Sequence, residues 1–592
     1  EASALMQVNA ADFKISHFET DEIGMSHVRM QQYYHNIPIY GAEVVTHGLA
    51  NDFDFLNGNY YTTSQWNVSS VPTVNEAKAL DIVEADLGES LRYDKDMTPI
   101  FSNTQPKTEM VIFPYQGSVY LAYHVYQYKN MVERWEYFID AHDGTLIHKR
   151  MSICKLHHHF GNAGHDAESN ISAPLDGKTT ANAKDLFDIN RTINTYQVGS
   201  TYYMIDATRD MFSSTAAQLP NDPSGVIWTI DAMNTTPTKS SFKYDHVKSS
   251  SNTWSDKASV SAQYNGGIAY NYYKTVHNRK SINGTGGNII SIINVSDDDG
   301  SSMGNAFWNG QAMFYGNGDA AFLSLARALD VAGHEMSHGV IENTANLDYE
   351  GESGALNESF ADVFGALIDR DDWKIGEDVV RTSVFPSGAL RDLQNPHNGA
   401  ATNNFDAGWQ PKHFNERYTG TADNGGVHLN SGIPNHAFYL FANVVGKDKA
   451  EKVYYRALSQ YLTKSSKFVD ARIAIIKATT DLYSTTEINA AKAAFDQVGI
   501  LGDSGGNYET DVNTNPGQDY VLVTGENSSG LYIYDNAGKE LVKISNKTIF
   551  SKPSVTDDGT VIIYVASDHK IYYQTIDWST EVVSGEKLLD DQ

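Results

Sequence analysis

His334-Glu335-Met336-Ser337-His338 decides the reading of this chain. It lies in a stretch of helical character, and residues i and i+4 share one face of a helix, so both imidazoles can reach one ion. Glu335 projects beside them, where a metal-held water would sit. Hydrolytic zinc takes three protein ligands and keeps one position open, so a third ligand is required. Downstream, Gly354-Ala355-Leu356-Asn357-Glu358-Ser359-Phe360-Ala361-Asp362 puts Glu358 and Asp362 at i and i+4 on a second predicted helix. One carboxylate can ligate while the other orients a ligand imidazole. Farther on, Asp423-Asn424-Gly425-Gly426-Val427-His428 pairs a carboxylate with an imidazole around a Gly-Gly turn. That suits a fixed, charged histidine able to stabilise a developing oxyanion. Taken singly, these fragments read as surface histidines, a solvated acidic face and a turn histidine.

The surrounding chain bounds the answer. Its 592 residues exceed one compact core and predict several domains. The net charge of −29 excludes a nucleic-acid partner, suits a soluble protein and leaves carboxylates free to hold calcium. Cys154 is the one cysteine, so stability rests on packing or metals rather than an intrachain disulfide. No apolar run is long enough to span a membrane. The chain opens at Glu1 without a basic-then-apolar leader, as expected of an exported protein whose signal peptide is gone, or of a sequence that omits it.

Strand-like alternation fills residues 1–74, where His27–Tyr34 and Ile37–Gly41 read as a hairpin with a proline-marked turn. A helix is predicted over Asn75–Leu87, then strands over Glu109–Pro114, Ser118–Tyr128, Glu133–Ile139 and Thr145–His148. Residues 151–184 lose periodicity and read as a linker. A β-rich stretch with strand-like runs such as Asn288–Val295 follows from Asp185, helical character holds from Ala320 to Gly499, and short strands return at Tyr520–Thr524, Gly530–Tyr534, Val561–Val565 and Lys570–Ile576.

The three site fragments together resemble the thermolysin family of neutral metalloendopeptidases. The likeness runs from about Tyr202 to Gly499 and includes Asn305-Ala306-Phe307-Trp308-Asn309, Ala389-Leu390-Arg391 and Arg417-Tyr418-Thr419-Gly420-Thr421. Glu358 follows His338 by 20 positions, the family's spacing; related zinc aminopeptidases use one residue fewer. The resemblance implies one catalytic zinc on His334, His338 and Glu358, with Glu335 as general base on the zinc water and proton carrier to the leaving amine. It implies that Tyr349 and His428 donate to the oxyanion, that Asp423 orients His428, and that Asp362 and Asn357 hold the ligand imidazoles. Asn305 and Ala306 would pair with an extended substrate and Arg391 would bind its carbonyl. Phe322, Leu325, Val331, Ile375 and Leu390 fall where the family builds its specificity pocket, implying cleavage on the amino side of a bulky apolar residue. Two other readings compete: another zinc peptidase such as an aminopeptidase, and a secreted non-catalytic binding or adhesive protein on a dead protease fold, against which Glu335, the three ligands and His428 are all present.

Asp330, Asp369, Asp372 and Glu377 match family calcium ligands. Lys374 replaces an acidic residue there, so a single structural calcium is expected rather than a pair. Residues 1–74 and 75–150 resemble the family's two propeptide modules, the second of protease-inhibiting type, which assist folding and block the cleft until cleaved. The expected architecture is therefore α+β and multidomain: the two modules, the linker, a β-rich catalytic lobe with the zinc helix (185–340), a helical lobe (341–502) and a C-terminal β extension (503–592). The expected protein is a secreted zymogen acting on proteins or peptides, with its own propeptide as intramolecular inhibitor. Cys154 and His157-His158-His159 lie near the maturation junction; the plain reading of that stretch is a solvated linker, and the sharper one is that the thiolate or a histidine caps the zinc, as cysteines do in latent metalloproteases of other families.

Overall fold

The computed structural model describes residues 12–49, 52–88, 97, 100–101, 105–156 and 176–502, and in the C-terminal part 520–525, 528–535, 538–550, 553–556, 560–577 and 582–589. His157-His158-His159 lie outside the described residues. Two compact units divide the chain, residues 1–506 and 507–592.

The N-terminal region builds one sheet from strands β1 (Phe13–Thr20), β2 (Met25–Tyr34), β3 (Ile37–Leu49), β4 (Asp52–Gly58), β5 (Lys107–Tyr115), β6 (Ser118–Asn130), β7 (Glu133–Asp140) and β8 (Leu146–Met151). They order β1-β2-β3-β5-β6-β7-β8, with β4 on β3. The two expected modules thus share a sheet, joined where long β3 meets β5 in parallel at Ile39 and Ile112. The β2–β3 turn is made by His35 and Asn36, at φ of 47° and 67°, and not by the proline. Pro38 already lies in β3, opposite Tyr33. A two-residue hairpin turn requires this left-handed backbone, which matches strand twist and which asparagine tolerates. Helix α1 (Glu76–Leu87) starts where the Asn75 side chain accepts from the Lys78 amide, and packs Ala79, Val83 and Leu87 onto Leu121 and Tyr137.

The catalytic part follows with β9 (Cys154–Lys155), β10 (Gly177–Lys184), β11 (Asn190–Val198), β12 (Thr201–Tyr203), β13 (Ile205–Asp206), β14 (Ile227–Asp231), β15 (Asp245–His246), β16 (Lys248–Ser249), β17 (Ile289–Val295), β18 (Ala306–Trp308) and β19 (Met313–Gly316). One sheet runs β13-β14-β17-β19-β18-β9 with β15 on β14. The segment expected as a linker is therefore strand at both described ends. β10 pairs with β11 over its whole length, and β9 adds to the edge of the catalytic sheet. Small polar side chains hid these strands, because pairing there comes from backbone and a distant partner rather than from alternating apolar residues.

Helix α2 (Lys257–His277) backs the sheet, capped by Asp256 and closed by left-handed Asn278. The helical half comprises α3 (Leu329–Glu342), α4 (Gly351–Asp369), short strands β20 (Lys374–Ile375) and β21 (Arg391–Asp392), then α5 (Ala422–Asn430), α6 (Gly432–Val445), α7 (Lys447–Arg456), α8 (Phe468–Leu482) and α9 (Thr485–Gln497). Among the described residues no helix is long and apolar enough to cross a membrane.

Apolar packing fuses the N-terminal sheet to the catalytic part: Met131, Val132 and Ile153 share a buried cluster with Trp228, Phe307 and Phe314. Ion pairs across the same boundary join Arg150 to Asp348, Arg134 to Glu342, and Asp21 to Arg456. The second unit holds a three-stranded sheet (Tyr520–Thr524, Ser529–Asp535, Glu540–Thr548) and a five-stranded sheet around Val561–Val565 and Ile571–Asp577. Leu531, Ile533, Ile562 and Tyr564 form its core.

Candidate active site

Helices α3 and α4 cross closely enough to bring their backbones together. A Cβ on Gly365 would stand 2.8 Å from the Asp330 carbonyl, and one on Gly333 would stand 3.2 Å from the Gly365 Cα. That approach brings His334, His338 and Glu358 face to face, all essentially excluded from solvent.

The surrounding hydrogen bonds set which nitrogen of each imidazole carries its proton. Asn357 donates to the Leu347 carbonyl, so its oxygen accepts from His338 Nδ1 at 2.8 Å. His334 Nδ1 lies 2.9 Å from Asp362 Oδ1. Arg391 Nε and Asn435 Nδ2 donate to the same carboxylate at 3.0 and 2.8 Å. Burial raises the Asp362 carboxyl, but Arg391 and His334 outweigh that and hold it well below the usual range. Burial lowers both His334 and His338 to about 4. Both rings are thus neutral, each with its Nε2 lone pair turned inward.

The inward nitrogens stand 3.0 Å apart, with Glu358 oxygens 3.6 Å from His334 Nε2 and 3.5 Å from His338 Nε2. A tetrahedral ion with bonds of about 2.0–2.2 Å puts neighbouring donors roughly 3.3–3.5 Å apart. Three electron-pair donors with no proton between them, at that spacing, fit zinc in both chemistry and size. Glu358 Oε2 is buried without a hydrogen-bond partner, as an oxygen meant for a cation would be.

Glu335 lies buried beside this set, its carboxylate turned toward the Trp308 backbone and making no side-chain hydrogen bond among the described residues. Burial, then the charge of Glu358, pushes its carboxyl well up. On the opposite side, His428 Nδ1 meets Asp423 Oδ1 at 2.6 Å, and Asp423 Oδ2 accepts from the His428 amide at 2.9 Å. The clasp depends on an unusual backbone: Asp423 to Gly426 are all at positive φ, from 48° to 85°, inside α5. Burial lowers His428, but Glu358 and Asp423 overcome it and raise the ring to about 9, so it is cationic at neutral pH. Its Nε2 lies 3.2 Å from the Tyr349 hydroxyl, which donates to Glu358.

Comparison with known proteins gives this arrangement its place. Residues 180–342 match the model described as thermolysin metallopeptidase, catalytic domain, and residues 345–500 its alpha-helical domain. Residues 11–60 match the fungalysin/thermolysin propeptide motif. Thermostable neutral protease NprT of Geobacillus stearothermophilus is 35% identical over 513 residues, covering 81% of this chain and 84% of that protein. The chain belongs to the thermolysin family. Bacillolysin of Brevibacillus brevis is 36% identical (81% and 83% covered), and thermolysin of Bacillus sp. (strain EA1) 34% identical (81% and 85%). This thermolysin-family chain is a metalloendopeptidase with its propeptide attached, and the family is zinc-dependent.

Other predicted residues fall into place unevenly. Phe322, Leu325, Val331, Ile375 and Leu390 are all buried in one large apolar cluster. Asn305 immediately precedes strand β18, which Ala306 opens and which lies between β19 and β9, and Arg391 enters from β21. Oxygens of Asp330, Asp369 and Glu377 gather within 4.8 Å of one another. Burial, then the charges of Asp371, Asp378 and Asp372, raise Asp369 to about 6; burial, then Asp372, Asp369 and Asp378, raise Glu377 to about 7. Asp372 is not in that cluster; its carboxylate lies 3.7 Å from Lys374 Nζ. Sequence reasoning missed Asn435, which fixes Asp362, and Leu156, whose amide donates to the Ala306 carbonyl at 2.9 Å and whose carbonyl accepts from Arg391 Nη1 at 3.3 Å.

Proposed function

We propose that this chain is the zymogen of a secreted, zinc-dependent endopeptidase that cuts on the amino side of bulky apolar residues. The observation that carries the reading is the set of three inward lone-pair donors 3.0–3.6 Å apart, with the buried Glu335 carboxylate beside them. His334, His338 and Glu358 would hold the zinc. When bound, it polarises the scissile carbonyl and makes water acidic enough to attack near neutral pH.

The chain's own residues supply the rest. Glu335 takes a proton from the attacking water and passes it to the leaving amine. The cationic His428 ring, clasped by Asp423, and the Tyr349 hydroxyl donate to the oxyanion as it forms, where aligned donors help most. The Asn305 side chain and the Ala306 carbonyl pair with the extended substrate, while Arg391 grips a substrate carbonyl. Phe322, Leu325, Val331, Ile375 and Leu390 line the pocket that takes the apolar side chain. Asp330, Asp369 and Glu377, with Asp372 nearby, hold one structural calcium, as hard carboxylate oxygens suit that ion. Residues 1–74 and 75–150 assist folding and inhibit until removed, and residues 503–592 form a separate β module.

The test compares the parent with Glu335→Gln, each released from its N-terminal region by added trypsin. The substrate is a peptide blocked at both ends. Both proteins should bind one zinc, while loss of the base slows hydrolysis by about 10²–10⁴. Undiminished hydrolysis by the variant, or no zinc in protein refolded with it, would overturn the reading.

A further inference from the structure

Strand β9 brings to the metal donors a residue that the proposed reaction does not use. β9 runs antiparallel to β18, with Cys154 opposite Trp308 and Lys155 opposite Phe307. Leu156 continues it, its amide bonded to the Ala306 carbonyl and its carbonyl to Arg391. The Leu156 side chain is 1% exposed and belongs to the same buried cluster as Phe322, Leu325 and Val331. These are the contacts proposed above for a substrate. The segment therefore occupies the cleft in the manner of one.

With its register fixed, the Cys154 thiol has little freedom. Its sulfur, one ring nitrogen of His338 and one carboxylate oxygen of Glu358 all lie within 4.8 Å of one another. The side chain is buried against Tyr349 and Val427. A separate observation points to a ligand in the same space: Glu358 Oε2 is buried without a hydrogen-bond partner among the described residues. Thiolate sulfur binds zinc readily, and two imidazoles, a carboxylate and a thiolate make a closed four-coordinate set with no place for water.

We propose that Cys154 is the fourth zinc ligand of the intact chain and holds it inactive, with Leu156 seated as a pseudo-substrate. The proposal rests on the zinc-peptidase reading above. On binding, the thiol releases its proton to solvent and nothing is oxidised. Activation requires β9 to leave β18, which withdraws the sulfur and frees the position for water.

The test is X-ray absorption at the zinc edge of the intact chain carrying Glu335→Gln, which prevents self-cleavage. One sulfur scatterer at about 2.3 Å is expected beside the nitrogen and oxygen shell. Adding Cys154→Ser should remove the sulfur while one zinc per chain remains. In the chain with Glu335 intact, Cys154→Ser should shorten the half-time of self-cleavage by about tenfold or more, the factor that 1.4 kcal/mol of lost restraint gives. Zinc bound only by nitrogen and oxygen in the intact chain overturns the cap but leaves the peptidase reading standing. An intact chain that binds no zinc sinks both.

Discussion

Arg150→Ala should loosen the N-terminal region from the catalytic part more than any other single change at that boundary. The guanidinium is 7% exposed and reaches Glu136 Oε2 and Asp348 Oδ1 at 2.8 Å each, Glu350 at 3.4 Å, and the Tyr40 hydroxyl. Burial would raise the Glu136 carboxyl, yet Arg150 and then His124 hold it well below its ordinary range. Without Arg150, carboxylates from the two sides face each other across a buried boundary with less positive charge between them, Lys464 lying 3.7 Å from Asp348. Breaking a buried pair by removing one partner costs about 3–5 kcal/mol. Separating the two parts lets those carboxylates hydrate, so most of the cost weakens docking. Taking about 3 kcal/mol, the undocked population rises roughly 100-fold. Amide hydrogen exchange at Leu156 reads this directly, because that amide is bonded to Ala306 only while docked. Measured in the Glu335→Gln background, exchange should quicken by the same factor. Exchange unchanged within about threefold, with the fold intact, would refute the reasoning, since it implies that apolar packing alone holds the parts together.

Acid should loosen the same boundary at its other end. Burial raises Asp21, but hydrogen bonds from His27 and Arg456 at 2.9 and 2.6 Å prevail and lower it. A depressed carboxyl stabilises above its unfolded value of about 3.9 and loses that contribution as pH falls through the folded one. Proteolysis within β1 and β2 should therefore accelerate only below about pH 4; acceleration near neutrality would contradict the assignment. Self-cleavage should spare the Lys155–Leu156 bond while β9 is docked, because a zinc capped by Cys154 has no place for water there, and N-terminal sequencing of a time course checks it. A first cut at Leu156 would mean that the docked segment is bound as a substrate and not as an inhibitor. Calcium at about 100 times its dissociation constant should add roughly 2.7 kcal/mol of stability, lost in Asp330→Asn. Equal melting temperatures with calcium and with chelator would remove the proposed site.

The convergence of the residues proposed to hold zinc was legible because helical periodicity ties sequence spacing to one face. His334, His338, Glu358 and Asp362 therefore converged once α3 and α4 formed. Leu156 was not legible. It is a lone apolar residue beside a glycine- and asparagine-rich stretch, and its partner strand lies some 150 positions away. β10 escaped for the same reason. The β2–β3 turn misled because proline usually punctuates, whereas here His35 and Asn36 take the left-handed backbone and Pro38 enters the strand. The union of both N-terminal modules in one sheet hangs on a single parallel bridge, a contact that no local pattern announces.

Strand β18 is the margin of its sheet, closed in this form by β9 alone. Once β9 departs, its outward amides and carbonyls face open water, a state that most proteins suppress because any extended chain can zip onto it. In the proposed reaction the bare margin is the working surface. It grips by main chain, asks for no free amino or carboxyl end, and lets a polypeptide thread past in both directions. A preference for interior bonds over chain ends then needs no dedicated recognition group, and covering the margin during synthesis spares the protein from adhering to its neighbours.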